Sequence, residues 1–119
     1  MTAIVTRQLS KHYPEVRALD GVSIALEEHR IHGLLGRNGA GKTTLMQLLT
    51  GQVFATDGTM EVLGASPVEN ADVLMQTCFI QESQKYPDTF RAIDVLRVAA
   101  GAYPNWDQAF ADRLVDEFR

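Results

Sequence analysis

Apolar positions change their spacing several times along the chain, and each change predicts a new element. Residues Ala3–Leu9 are rich in strand formers and lead into "SKHYPEV", a polar stretch whose Pro14 rules out a helix. Val22, Ile24 and Leu26 alternate with Ser23 and Ala25, the period of a half-buried strand, and "EEHR" turns the chain out of it. Ile31–Leu35 predicts a short apolar strand, and the glycines of Gly36–Gly41 predict a loop. From Lys42 to Thr50, Leu45, Met46, Leu48 and Leu49 recur at helical spacing, with Gly51 as the stop. "ATDGTMEVLGASP" predicts a turn at Asp57-Gly58, a strand through Leu63 and a turn at Gly64. A short helix follows around Val68–Met75, then a short buried strand at Thr77–Ile80 and a polar loop, "QESQKYPD".

The pattern turns helical at Asp88. Phe90, Ile93, Val95, Leu96 and Val98 predict a helix ending at Gly101. In "NWDQAFADRLVDEFR", Asn105 stands as N-cap with Gln108 at the capping-box position, and Trp106, Phe110, Leu114 and Phe118 lie four apart on one face. Strands therefore dominate residues 1–87 and helices residues 88–119. No internal repeat or low-complexity segment interrupts either part.

Composition narrows the function. The chain has 119 residues, enough for one modest core, with 45% hydrophobic and 22% charged residues. Eleven Lys and Arg against 15 Asp and Glu leave a net charge of −4, and no basic block argues for nucleic acid. No apolar run approaches the roughly 20 residues of a membrane span, and "MTAIVTRQLSKHYPEV" has no signal-peptide core. Cys78 is the only cysteine, which favours a cytoplasmic protein and predicts a small buried hydrophobe within a strand. His12, His29 and His32 read as surface or strand residues, and no Cys/His grouping suggests zinc.

The candidate chemistry lies in "GLLGRNGAGKTTLMQLLTG". Gly36, Gly41, Lys42 and Thr43 satisfy G-x-x-x-x-G-K-[ST], set between an apolar strand and a periodic helix. A polyphosphate carries dense negative charge. Glycines let successive backbone N–H groups turn inward around it, and the following helix adds open N–H groups at the positive end of its dipole. Lys42 supplies a flexible cation for the β- and γ-phosphates, and Thr43 a hydroxyl for Mg²⁺.

With "RNGAGKTT" in place, the stretch resembles the P-loop of ABC-type ATPases, the nucleotide-binding subunits of ABC transporters. "YPEVRALDGVSIAL" resembles the start of that family's β-subdomain and "FIQES" its Q-loop. The order is right over nearly the whole chain. The tail "RAIDVLRVAAGAYPNWDQAFADRLVDEF" looks like the start of the helical subdomain in multidrug- and antibiotic-export types. The resemblance implies an α/β fold of the P-loop NTPase class: a partial core with an antiparallel β-subdomain and the beginning of a helical subdomain.

It also implies roles for individual residues. Gly36, Asn38, Gly39, Ala40, Gly41, Lys42, Thr43 and Thr44 would hold the phosphates of ATP. The Tyr13 ring would stack on adenine, with Ala18 beside the same base. Gln81, by its amide, would ligate Mg²⁺ together with Thr43 and contact the attacking water, although Gln84 competes for that assignment. Lys42 and Gln81 would thus be the catalytic contributions. The Gln81–Asp88 segment would meet a transmembrane permease subunit, and a second ATPase subunit would complete a head-to-tail dimer on the inner face of the cell membrane. No LSGGQ-like signature is found. "RLVDEF" has too few apolar residues before Asp116 and Glu117 to be the second acidic motif, and it continues a helical period. No switch histidine follows. The expectation is therefore the first half of such an ATPase, with weak or no turnover of its own, marginally stable and prone to associate or swap with a second copy. Two alternatives stay open: another P-loop NTPase, and a module that binds nucleotide or a partner without turnover.

Overall fold

The computed structural model describes residues 1–37, 39, 41–82 and 84–118. It divides into two compact units, Met1–Phe79 and Ile80–Arg119.

The first unit is built on a hairpin. β1 (Thr2–His12) and β2 (Arg17–Glu27) pair antiparallel, with Ile4 opposite Leu26, Thr6 opposite Ile24, Lys11 opposite Leu19 and His12 opposite Arg17. Both strands run further than hydrophobic alternation alone predicts. "SKHYPEV" supplies the end of β1 and the turn, which is closed by Tyr13 N–H to Val16 O (2.7 Å) and Val16 N–H to Tyr13 O (3.2 Å). β3 (Asp57–Val62) pairs antiparallel with the other edge of β1, giving the order β2-β1-β3. Asp57-Gly58, expected as a turn, opens this strand instead: Asp57 pairs with Ser10, and the ladder outweighs the local turn preference of the dipeptide. Thr6 is buried in the central strand, and its hydroxyl is satisfied both ways. It donates to Val22 O (2.9 Å) and accepts from Ile24 N–H (3.1 Å), so the sheet interior carries no unpaired hydroxyl there.

One face of the sheet is covered by α1 (Lys42–Leu49), which ends at Thr50 just before Gly51. Leu45 and Leu48, three apart, turn inward onto Leu9, Leu19 and Met60, and this cluster is the core of the unit. α2 (Ala71–Leu74) is shorter than the sequence predicts. It starts where the Asn70 side chain accepts from Val73 N–H (3.4 Å), and it buries only Val73.

Two expected strands are not formed. Ile31–Leu35 and Thr77–Ile80 carry no strand, Leu35 is 95% exposed, and Cys78 is exposed rather than buried. An apolar run becomes a strand only against a neighbour that completes its ladder. Among the described residues the sheet consists of β2, β1 and β3, and neither segment pairs with it.

In the second unit, α3 (Ala92–Ala102) begins where Asp94 Oδ2 accepts from Arg91 N–H (2.9 Å), and the helix passes through Gly101 to end one residue beyond it. α4 (Gln108–Glu117) is capped by Asp107, whose carboxylate accepts from Phe110 N–H (2.9 Å). Asn105 was the expected cap. It falls instead in the turn closed by Trp106 N–H to Tyr103 O (3.3 Å), which leaves Asp107 as the extended residue at the helix start. Gln108 joins Trp106 Nε1 to Asp112 Oδ1, both at 2.9 Å, instead of forming the expected box. The face of Phe110, Leu114 and Phe118 is exposed, and Ala111 is the buried residue of the helix.

Leu48 has no exposed surface, so Leu48→Ala is expected to cost about 2–5 kcal/mol in urea unfolding followed by far-ultraviolet circular dichroism. Phe118→Ala, at an exposed site, is expected to change little. The Arg91 backbone N–H, then the Arg91 side chain, hold the Asp94 carboxyl below its ordinary 3.8. Its contribution to the start of α3 is therefore present above that value and is lost as pH falls through the lower folded value. Amide chemical shifts of residues 91–95 should report fraying only as pH falls below 3.8, and Asp94→Asn should remove the pH dependence.

Candidate functional site

The site begins with one glycine. Gly41 is the N-cap of α1, in the left-handed conformation at φ 93°. A Cβ on it would overlap the Ala18 carbonyl oxygen and come within 2.9 Å of Leu19 Cδ2. Only glycine satisfies both the backbone angle and the approach. That contact seats the helix start against the beginning of β2, and so beside the hairpin turn.

The result is a cavity of about 570 Å³, within the range of small-ligand sites. Tyr13, Val16 and Ala18 line it from the hairpin. Arg37, Gly39, Gly41, Lys42, Thr43 and Thr44 line it from the loop and the first turn of α1. The two charged residues among these are both cations, and none is a carboxylate, in a chain whose net charge is −4.

The helix start has the features of an anion site. α1 has no side-chain cap and no acidic residue in its first turn, so its leading N–H groups and dipole end are left to a ligand. Gly39, at φ 87°, lines the same cavity. The Lys42 ammonium lies back along the loop and donates to the carbonyls of Gly36 and Arg37, the second at 3.3 Å. Thr43 is exposed at the helix start, and Thr44 half-buried beside it.

The structure thus gathers Tyr13, Ala18, Gly39, Gly41, Lys42, Thr43 and Thr44 around one space, and Gly36 joins through its carbonyl. Asn38 and Ala40 lie outside the described residues. Gln81 belongs to the second unit, where its carbonyl accepts from Gln84 N–H at 3.4 Å, while the cavity lining comes from the first unit. Val16 and Arg37 line the cavity without having been singled out in the sequence. Arg37 fills one of the motif's unconstrained positions, and Val16 sits in a turn whose side-chain directions depend on the hairpin closing.

Comparison with known proteins agrees with this geometry. A family model described as "ABC transporter" matches residues 19–113. The chain is 30% identical over 115 residues to the ABC transporter ATP-binding protein YtrB of Bacillus subtilis, covering 97% of this chain and 39% of that protein. It is 37% identical over 112 residues to the phosphonates import ATP-binding protein PhnC 1 of Natronomonas pharaonis, covering 93% and 46%. A solved ATP-binding subunit of an ABC transporter superposes with a TM-score of 0.79 at 25% identity, covering 94% of this chain and 47% of the other. The chain therefore spans less than half the length of each of these three proteins.

Gly41→Ala tests the contact on which the site is built. It should destabilise the first unit by about 1–3 kcal/mol in urea unfolding, with amide shifts at Ala18 and Leu19 moving even in native buffer.

Proposed function

The chain belongs to the ABC transporter family, and on that premise we propose that the cavity at the start of α1 binds MgATP. The observation that carries this is the uncapped helix start behind a left-handed glycine, flanked by two cations and no carboxylate. The amides of Gly39 and of Gly41–Thr44 would serve the phosphates. Lys42 exchanges one or both loop carbonyls for β- and γ-phosphate oxygens. The Tyr13 ring, which lines the other side of the cavity, is the platform for adenine. The exposed hydroxyl of Thr43 suits magnesium, which takes oxygen donors, and would hold the ion at the helix start. Such an ion would supply charge neutralisation to the triphosphate.

For the whole protein we propose hydrolysis of the bound ATP coupled to transport. The Gln81–Asp88 segment then contacts a permease subunit, a second ATPase subunit completes the site, and the assembly sits on the inner face of the membrane. In keeping with a peripheral place, no helix among the described residues is long and apolar enough to cross a bilayer. Residues 88–119 are proposed as the start of the helical subdomain. The 119 residues themselves are proposed to bind without turnover, because among the described lining residues no carboxylate or imidazole is placed to take a proton from water.

Titration calorimetry of MgATP into wild type and Lys42→Ala provides the test. The variant is expected to lose about 1.5–3 kcal/mol of binding, the worth of hydrogen bonds to a charged group. Equal affinities would remove Lys42 from the site. Measurable phosphate release by the chain alone would contradict binding without turnover.

A further inference from the structure

Lys11, near the end of β1, has no part in the cavity lining, yet its ammonium is fixed. It donates to the Phe54 carbonyl at 2.6 Å and stands 5.1 Å from the centroid of the Tyr13 ring. Lys11 lies at the end of β1 and Tyr13 opens the hairpin turn two residues later, which brings the ammonium over the ring. Phe54 lies in the segment joining α1 to β3, and that segment is tied to the same strand end by further hydrogen bonds. His12 N–H donates to Thr56 Oγ1 (2.8 Å), and Thr56 N–H donates to Ser10 O (2.9 Å). A lysine at a strand end ordinarily trails its ammonium into water. Here the ammonium is held between a carbonyl and an aromatic ring.

We propose that Lys11 is a positioning residue for nucleotide recognition: its ammonium, anchored on Phe54, backs one face of the Tyr13 ring so that the other face is presented to the base of a nucleoside triphosphate. The inference rests on the reading of Tyr13 as the base platform. Tyr13 lines the cavity and Lys11 is not among the lining residues, and on that ground the proposal puts the cation on the ring face turned from the cavity. Two effects follow. The attraction between the cation and the ring quadrupole holds the ring in one orientation before ligand arrives. It also draws π-density toward the ammonium, which leaves the cavity face less negative and better suited to stack on an electron-rich purine. Lys11 thereby also links the α1–β3 segment to the base site.

The experiment is calorimetry with two titrants, MgATP and magnesium tripolyphosphate, on wild type, Lys11→Met, Lys11→Arg, Tyr13→Ala and the double variant Lys11→Met/Tyr13→Ala. Lys11→Met keeps the length of the stem and removes the charge. It is expected to weaken MgATP about two- to fivefold, the worth of an exposed cation–π contact, and to leave tripolyphosphate unchanged. Lys11→Arg should restore the affinity, and adding Lys11→Met to Tyr13→Ala should cost nothing more. If Tyr13→Ala weakens MgATP while Lys11→Met does not, the role of Lys11 falls and the base platform stands. Equal weakening of both titrants by Lys11→Met would make Lys11 a structural residue only, and would overturn the proposal. A silent Tyr13→Ala would remove the platform itself, and this inference with it.

Discussion

The organisation of the first unit depends on two backbones meeting without a side chain between them. Gly41 lies against the Ala18 carbonyl so closely that no Cβ would fit. This approach fixes where α1 begins relative to β2. From it follow the direction of the helix dipole, the position of Lys42 and the proximity of the hairpin turn. Leu45 and Leu48 then complete the register by packing on Leu9, Leu19 and Met60. The core and the site therefore share one helix: its inner face stabilises the sheet, and its first turn supplies the donors.

The cavity has two walls of different origin. The loop and helix wall is positively charged and rich in backbone donors, suited to an anion of flexible shape. The hairpin wall offers an aromatic ring and apolar side chains, suited to a flat base. The hydrogen bonds between Tyr13 and Val16 that close the turn hold the second wall in place, and the Gly41 contact sets the distance between the two. The fold is that of the ABC ATPase cassettes, within the α/β P-loop class. The likeness extends to relatives named for import, such as PhnC 1, so the export-type likeness of the tail does not fix a direction of transport.

What was legible in the sequence was local. α1 and its stop, the existence of a strand expected through Leu63 (it ends at Val62) and the turn at Gly64 follow from period and glycine placement, and Gly41, Lys42 and Thr43 announce their chemistry by spacing. What failed needed a neighbour. Ile31–Leu35 and Thr77–Ile80 have strand composition, but strand formation is a property of pairs, and nothing in either segment supplies its partner. The α4 cap was misplaced by two residues because Asn105 and Asp107 are both good caps, and the choice was made by the preceding turn through Tyr103. The seat of Lys11 is not legible in the sequence because its partner, Phe54, is distant along the chain and offers only a carbonyl, which no residue type encodes.

The seat of the Lys42 ammonium on the Gly36 and Arg37 carbonyls has a thermodynamic meaning. An arriving phosphoryl group does not meet a bare cation. On the proposed reading it would displace acceptors already engaged, so a measured affinity would be the difference between two sets of partners and would understate the intrinsic attraction. The loop would in turn give up its internal clasp on taking cargo. Occupancy would then be felt by the backbone as well as by the side chain, and a small, charged event at one atom would pass to the peptide planes that surround it.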